Sequence, residues 1–227
     1  MTGQARPARR GRQAEAERND RRVLDAAREV FASQGAGAPV SAVAERAGVG
    51  VGSLYRRYGS KADLLRHLCM LAMEQTVDAA RTALATEDAW VGLTDYVRTC
   101  VALGAGALAP LAGTIETTPP MWETSRRARR LLEDLVARAK RDGVLRPDVT
   151  ALDVAWLVEL FGQRGPVRDA GEDGIIGRRL LSIALDGLRA GGSGSLPGPA
   201  PSARHYEGRW RAPSGPRSAP LPETPDG

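Results

Sequence analysis

Residues 40–61 read Val-Ser-Ala-Val-Ala-Glu-Arg-Ala-Gly-Val-Gly-Val-Gly-Ser-Leu-Tyr-Arg-Arg-Tyr-Gly-Ser-Lys, and this stretch predicts two short helices joined by a tight turn. The first spans about Val40 to Ala47 and buries Val43, Ala44 and Ala47, because residues three and four apart share a helix face. Gly48 follows at once, where the chain must leave the helix with a positive φ that glycine adopts without steric cost. The second helix begins near Val51 and puts Leu54 and Tyr58 on one face. Ala44, Gly48 and Leu54 then fill three roles of a helix-turn-helix: close approach of the helices, the turn, and the plug of the core between them. In such a unit the second helix enters the DNA major groove and the first crosses the backbone. Gly50, Val51, Gly52, Ser53, Tyr55, Arg56 and Arg57 are left facing outward. That set is small at the helix start and then aromatic and cationic, as docking into a groove requires.

Ala-Glu-Arg-Ala-Gly-Val at 44–49, followed by Gly-Ser-Leu-Tyr-Arg-Arg-Tyr-Gly-Ser-Lys-Ala-Asp-Leu-Leu at 52–65, resembles the DNA-binding domain of the TetR family of transcriptional regulators. The resemblance runs through residues 18 to 68. It implies that Tyr55 and Lys61 bind phosphates, that Gly50 to Ser53 and Arg56 face bases, and that Leu54 and Tyr58 are structural. The family often places Ser or Thr as N-cap of the helix before the turn. Pro39 stands there in this chain, which suits a first helical turn but brings no hydroxyl, and Ser41 is a displaced substitute. The DNA-binding set is therefore Ser41, Gly50, Val51, Gly52, Ser53, Tyr55, Arg56, Arg57 and Lys61, with the structural Tyr58 counted among them.

The charge pattern agrees with that location. Residues 1–66 hold thirteen Lys and Arg against seven Asp and Glu, while the remaining residues hold nineteen against twenty. The whole excess lies beside the helix-turn-helix, the electrostatic footprint of a DNA-binding module. Residues 1–17, with Arg6, Arg9, Arg10 and Arg12, are expected to form a disordered basic arm. That arm is either a solubilising tail or an extension reaching into the flanking minor groove. From Arg18 to Ser33, Val23, Ala26, Ala27, Val30 and Phe31 follow the spacing of a single buried stripe. This helix completes a DNA-binding domain over 18–66. Ser60 and Asp63 resemble a capping box and start a helix running to about Thr86, from the DNA backbone into the body.

From about Asp88 onward the pattern is helix after helix, with no strand-like alternation, so the fold class is all-α. Residues 67–190 are expected to form a helical ligand-binding and dimerisation domain. Its predicted helices are Trp90–Ala109, Met121–Arg141, Thr150–Gln163 and Gly174–Ala190, punctuated by Pro110, Pro119-Pro120 and Asp142-Gly143. The turn Gly-Val-Leu-Arg-Pro-Asp at 143–148 also resembles the effector domains of SbtR-like members of the TetR family. In the last helix, Ile176, Leu180, Ile183 and Ala184 make one apolar stripe, and Leu181, Leu185 and Leu188 make a second. A helix apolar on more than its core side needs a second partner. Leu157, Phe161, Ile176, Leu180, Leu181, Ala184, Leu185 and Leu188 are thus candidates for a two-fold, four-helix homodimer interface. Residues 191–227, with eight Pro and seven Gly, are expected to be a disordered tail without assigned function.

No catalytic constellation emerges. His67 and Cys69 lie two apart on a helix and point apart, no glycine-rich phosphate loop follows a strand, and no metal ligand set or cofactor motif is present. The expectation is no enzyme, no metal and no cofactor. Two cysteines, no signal peptide and no run of about twenty apolar residues point to a cytoplasmic protein with reduced thiols and no membrane contact. Trp90, Tyr96, Cys100, Leu103, Met121, Trp122, Trp156 and Phe161 are candidates for a mostly apolar small-molecule pocket. The Arg-Arg-Ala-Arg-Arg run at 126–130 is either an acidic effector's attractant or a solvated helix face. The reading is a dimeric regulator binding a palindromic operator in double-stranded DNA, most simply a repressor released by an unknown small-molecule effector. The alternative is a helical small-molecule-binding protein without sequence-specific DNA recognition.

Overall fold

The computed structural model describes residues 6–163, 171–191 and 194–211. The expected arm at 1–5 and the tail from 212 lie outside the described residues. Among the described residues the fold is helical throughout, with nine α-helices and no strand.

The first helix, α1 (Arg6–Gln34), begins well before the expected Arg18, so the backbone of 6–17 is helical where an unstructured arm was expected. Its stripe is buried as the spacing requires: Val23, Ala26, Ala27, Val30 and Phe31 all enter the core. α2 (Val40–Ala47) and α3 (Val51–Tyr58) follow at the expected bounds. Gly48 ends α2 in the left-handed region, at φ 67° and ψ 37°. The Val49 amide reaches back to the Ala44 carbonyl at 3.0 Å, and the Arg22 guanidinium donates to the Ala47 carbonyl at 2.7 Å. A side chain at Gly48 would be strained by its φ and crowded by that guanidinium, 3.1 Å away.

α4 (Lys61–Ala85) starts on the Ser60 cap, which accepts from the Asp63 amide at 3.1 Å. It packs against α5 (Ala89–Ala102) and α6 (Pro119–Arg141). α5 ends seven residues earlier than the spacing predicts. Gly104 takes a φ of 66°, and Arg28 of α1 donates to the Leu103 carbonyl at 2.7 Å, so the chain is turned out of the helix. Residues 103–118 then cross toward α1 through a single 3-10 turn at Ala109–Leu111. α7 (Ala151–Gly162) opens with a complete capping box between Thr150 and Asp153. It crosses the 105–106 segment so closely that a methyl group at Gly106 would sit 2.1 Å from the Glu159 carbonyl oxygen. α8 (Glu172–Asp186) returns along the bundle. The 144–146 connector holds its end through the Arg146 amide to Leu188 and the Ala190 amide to Val144, both 3.0 Å.

The tail departs from the expectation. Arg146 grips Asp148 through two bonds of 3.0 Å and reaches the Gly194 carbonyl at 2.7 Å, while the Leu196 amide donates to Asp148 at 2.8 Å. The Arg146 guanidinium, with the Leu196 amide, holds the Asp148 carboxyl well below the usual carboxylate range. From this anchor the chain folds back into α9 (Ala203–Gly208), capped by Ser202, whose side chain accepts from the His205 amide at 3.2 Å.

Two apolar clusters carry the fold. The second lies within the body. The first joins Val43, Leu54, Phe31 and Leu64 to Leu108, Leu111, Ile115 and Met121, so the 103–118 segment and α6 pack into the same core as the helix-turn-helix.

Candidate DNA-binding surface and effector cavity

α3 needs little of its own surface for the core, since only Leu54 is buried. Ser41, Gly50, Val51, Gly52, Ser53, Tyr55, Arg56 and Arg57 are all exposed, Tyr55 at 48%. Gly50 is the extended residue before the helix. Gly52 has nothing within 4 Å of where a side chain would begin, so no packing inside the chain requires a glycine there. The cations divide in two. Arg57 turns back to pair with Asp20 of α1 and lies 5.9 Å from the Tyr58 ring centre. Arg56 has no hydrogen-bond or ion-pair partner among the described residues and points its charge outward. Lys61, half-buried at the start of α4, lies with its ammonium 5.9 Å from the Phe31 ring. Tyr58 packs on the first core cluster and tilts against His67, ring centres 5.5 Å apart, so it braces the helix and does not present itself to a groove.

Inside the body, α4, α5, α6, α7, the 105–117 segment and the tail enclose a cavity of about 180 Å³. Tyr96, Met121 and Trp122 of the expected pocket line it. The other five do not. Cys100 is fully buried behind Tyr96; Leu103 is tied through its carbonyl to Arg28; Phe161 packs into the second core cluster. Trp90 carries the Arg189 guanidinium at 4.4 Å, and Trp156 faces α9, with Tyr206 edge-on at 5.6 Å. Their absence from the lining has one cause: aromatic residues mark volume to be filled, and the packing of helices decides where the volume stays open.

The charged lining was missed. Glu159, 5% exposed, pairs with Arg209 at 2.7 and 3.0 Å. Arg129 donates to Glu207 at 2.5 Å. Tyr206, Glu207 and Trp210 of the tail complete the wall, and Arg126 and Arg129 place part of the arginine run at the cavity instead of leaving all of it to solvent. Glu159 had a sequence signal: it is the only acid in the apolar run 154–162 of α7. Burial pushes the Cys69 and Cys100 thiols and the Tyr206 phenol up to about 12, and Tyr96 well above its ordinary value. All four therefore stay protonated near neutral pH, and neither thiol is a nucleophile. No group of three or more metal-binding side chains occurs among the described residues.

Comparison with known proteins decides what this arrangement belongs to. A model of bacterial regulatory proteins of the TetR family matches residues 23–68, and a model of the C-terminal domain of SbtR-like transcriptional regulators matches residues 85–190. A TetR transcription regulatory protein from Mycobacterium vanbaalenii is 30% identical over 78% of this chain and 99% of its own, with a TM-score of 0.54. The chain belongs to the TetR family. The same fold recurs in a TetR transcriptional regulator from Streptomyces coelicolor, at 23% identity, TM-score 0.55 and coverage of 77% and 99%. It recurs again in the ketosteroid transcriptional regulator KstR2 of Mycobacterium tuberculosis, at 19%, 0.56, 74% and 95%. A search of curated proteins finds no match. This TetR regulator is a DNA-binding transcription factor, and a binding protein without sequence-specific DNA recognition is not favoured. Family and fold are those of transcription regulators. Among the described residues no helix is long and apolar enough to cross a membrane.

The faces of α8 in this TetR regulator divide the residues expected at the interface. Leu181 and Leu185 are buried in the second core cluster, and Leu157, Phe161 and Leu188 pack against it. They hold α7 and α8 to the body; Leu181 and Leu185 are buried, whereas Leu157, Phe161 and Leu188 keep part of their surface exposed. Ile176 and Leu180 remain exposed with Ile175 and Ile183, and Leu160 of α7 is 63% exposed. Ala184 lies between the two faces, half-buried. Of two adjacent apolar stripes on one helix, periodicity alone does not tell which meets the core.

Proposed function

We propose that this protein is a ligand-responsive repressor acting as a homodimer. Its two α3 helices would enter successive major grooves of a palindromic operator, and an effector in the body cavity would release it. One observation carries the effector part of this reading. Leu108 lines the cavity and also belongs to the apolar cluster that holds Phe31, Val43 and Leu54 of the DNA-binding domain. Arg28 adds a polar strut between the two parts, from α1 to the Leu103 carbonyl and, at 3.0 Å, to the Gln75 side chain of α4. Filling the cavity thus acts on residues against which α1 and the helix-turn-helix are packed. An effector shifts the equilibrium only through its different affinity for the two arrangements.

The test substitutes a side chain for the effector. Ala155→Phe places a ring at the cavity wall of the full-length chain, and operator affinity, read by electrophoretic mobility shift, should fall by about tenfold, a typical coupling of 1–3 kcal/mol. An unchanged affinity in a variant that melts like the wild type would count against an effector site here.

At the DNA surface, Gly52 has a functional reading, because nothing in the fold asks for it. Gly52→Ala should raise stability by up to about 1 kcal/mol and weaken operator binding, because the added methyl holds α3 off the groove floor. Thermal melts and binding isotherms read the two effects separately. A more stable variant with full affinity would sink the idea.

A further inference from the structure

Two charges of the cavity wall, the buried Glu159 and the half-buried Arg129, are both answered by the same short segment. Glu159 on α7 receives Arg209 at 2.7 Å, and Arg129 on α6 binds Glu207 at 2.5 Å. The Arg209 guanidinium also lies 4.5 Å from the Trp156 ring centre, a cation–π geometry. Tyr206 stands edge-on to that indole, and Trp210 packs against the apolar cluster that reaches into the DNA-binding domain. Within five consecutive residues the segment presents a phenol, an anion, a cation and an indole, each matched by a group of the wall. α9 has six residues, far below the length at which a helix is stable alone, so its structure depends on the cavity. It is reached through Pro-Gly-Pro-Ala-Pro at 197–201, a linker that can be lifted without unfolding any helix of the body.

We infer that residues 202–211 are a displaceable, built-in ligand of the effector cavity, and that the effector which displaces them is an amphoteric aromatic molecule. Its anionic group would meet Arg129, its cationic nitrogen would meet Glu159 and the face of Trp156, and its rings would take the space of Tyr206 and Trp210. This rests on the reading of the cavity as the effector site. Size points the same way. With the tail seated about 180 Å³ is open, room for little more than one ring, whereas drug-sized ligands occupy about 300–1,000 Å³. A purely apolar ligand would expel Arg209 and leave the Glu159 carboxylate buried without a cation, which is strongly disfavoured. The displacing molecule must therefore bring a positive charge of its own.

The experiment titrates a fluorescein-labelled synthetic peptide of residues 202–211 into the full-length chain by fluorescence anisotropy, without DNA. Full-length Glu207→Ala/Arg209→Ala should bind it about tenfold or more tighter than the wild type, whose cavity is open only while its own tail is lifted. Adding Glu159→Gln to that double variant should abolish the gain. The dipeptide Arg-Trp should displace the labelled peptide, and the uncharged acetyl-Ala-Trp amide should not. Equal binding by wild type and double variant overturns the proposal, as does a gain that survives Glu159→Gln, or displacement by the uncharged dipeptide. If Glu159→Gln melts early, Arg129→Gln takes its place and must show the same loss. Peptide binding that leaves operator affinity untouched upholds the built-in ligand and counts against the regulatory reading of the cavity.

Discussion

Full-length protein carrying Leu180→Glu and Ile183→Glu is expected to sediment as a monomer and to lose about two to four orders of magnitude in affinity for a palindromic operator. Both side chains are exposed on α8, at 45% and 58%, so the charges cost the monomer little. In the proposed two-fold dimer the same stripe would meet its own copy, and four carboxylates would be brought into one apolar contact. A buried charge without a partner is among the few single changes that abolish association outright. The loss on DNA follows from linkage: once one recognition helix is docked, the second binds as an intramolecular event, and a monomer forfeits that gain. A variant that melts like the wild type but remains dimeric would move the interface elsewhere. Leu181→Glu makes the contrast, because Leu181 is 7% exposed against the second core cluster. It should unfold the body before it affects any partner.

The second large effect separates two kinds of phosphate contact. Tyr55→Ala should weaken operator and non-operator DNA alike by about 3 kcal/mol per dimer, from two lost hydrogen bonds to charged groups. The dependence of affinity on salt should stay the same, because a phenol releases no counterion. Lys61→Ala should also weaken binding for all sequences, and it should lower the slope of log K against log salt by about two, one per protomer. Arg56→Ala, by contrast, should relax sequence preference, since Arg56 is exposed without a side-chain partner among the described residues while Arg57 is held by Asp20. Titrations at four or five salt concentrations decide the matter. A Tyr55→Ala slope that drops as far as that of Lys61→Ala would mean the two do not act as assigned.

The DNA-binding end of the chain was legible because its logic is local. Gly48 can take a φ of 67° where other residues are strained, and Leu54 lies four residues from Tyr58, so turn and core plug are written within fifteen residues. The body was less legible because its decisions are pairwise between distant elements. The early end of α5 depends on Arg28 capturing the Leu103 carbonyl from 75 residues away. Which stripe of α8 faces the core depends on α5, α6 and α7 already being in place. The tail was hidden by its composition. Proline and glycine around 197–201 read as disorder, and nothing local reveals that Arg209 meets Glu159 fifty residues back. The lone acid in the apolar run of α7 was the usable clue, since a buried carboxylate must find a cation somewhere.

In the proposed function this chain reads a specific DNA site through α3. Footprinting on the DNA flanking the protein's own gene tests it most directly, with wild type, Tyr55→Ala and Lys61→Ala compared over a range of salt. The expected result is a protected palindrome whose half-sites lie about one helical turn, or a multiple of it, apart, lost in both variants and weakening steeply as salt rises. Weak protection spread evenly along the DNA, the same for all three proteins, would contradict it.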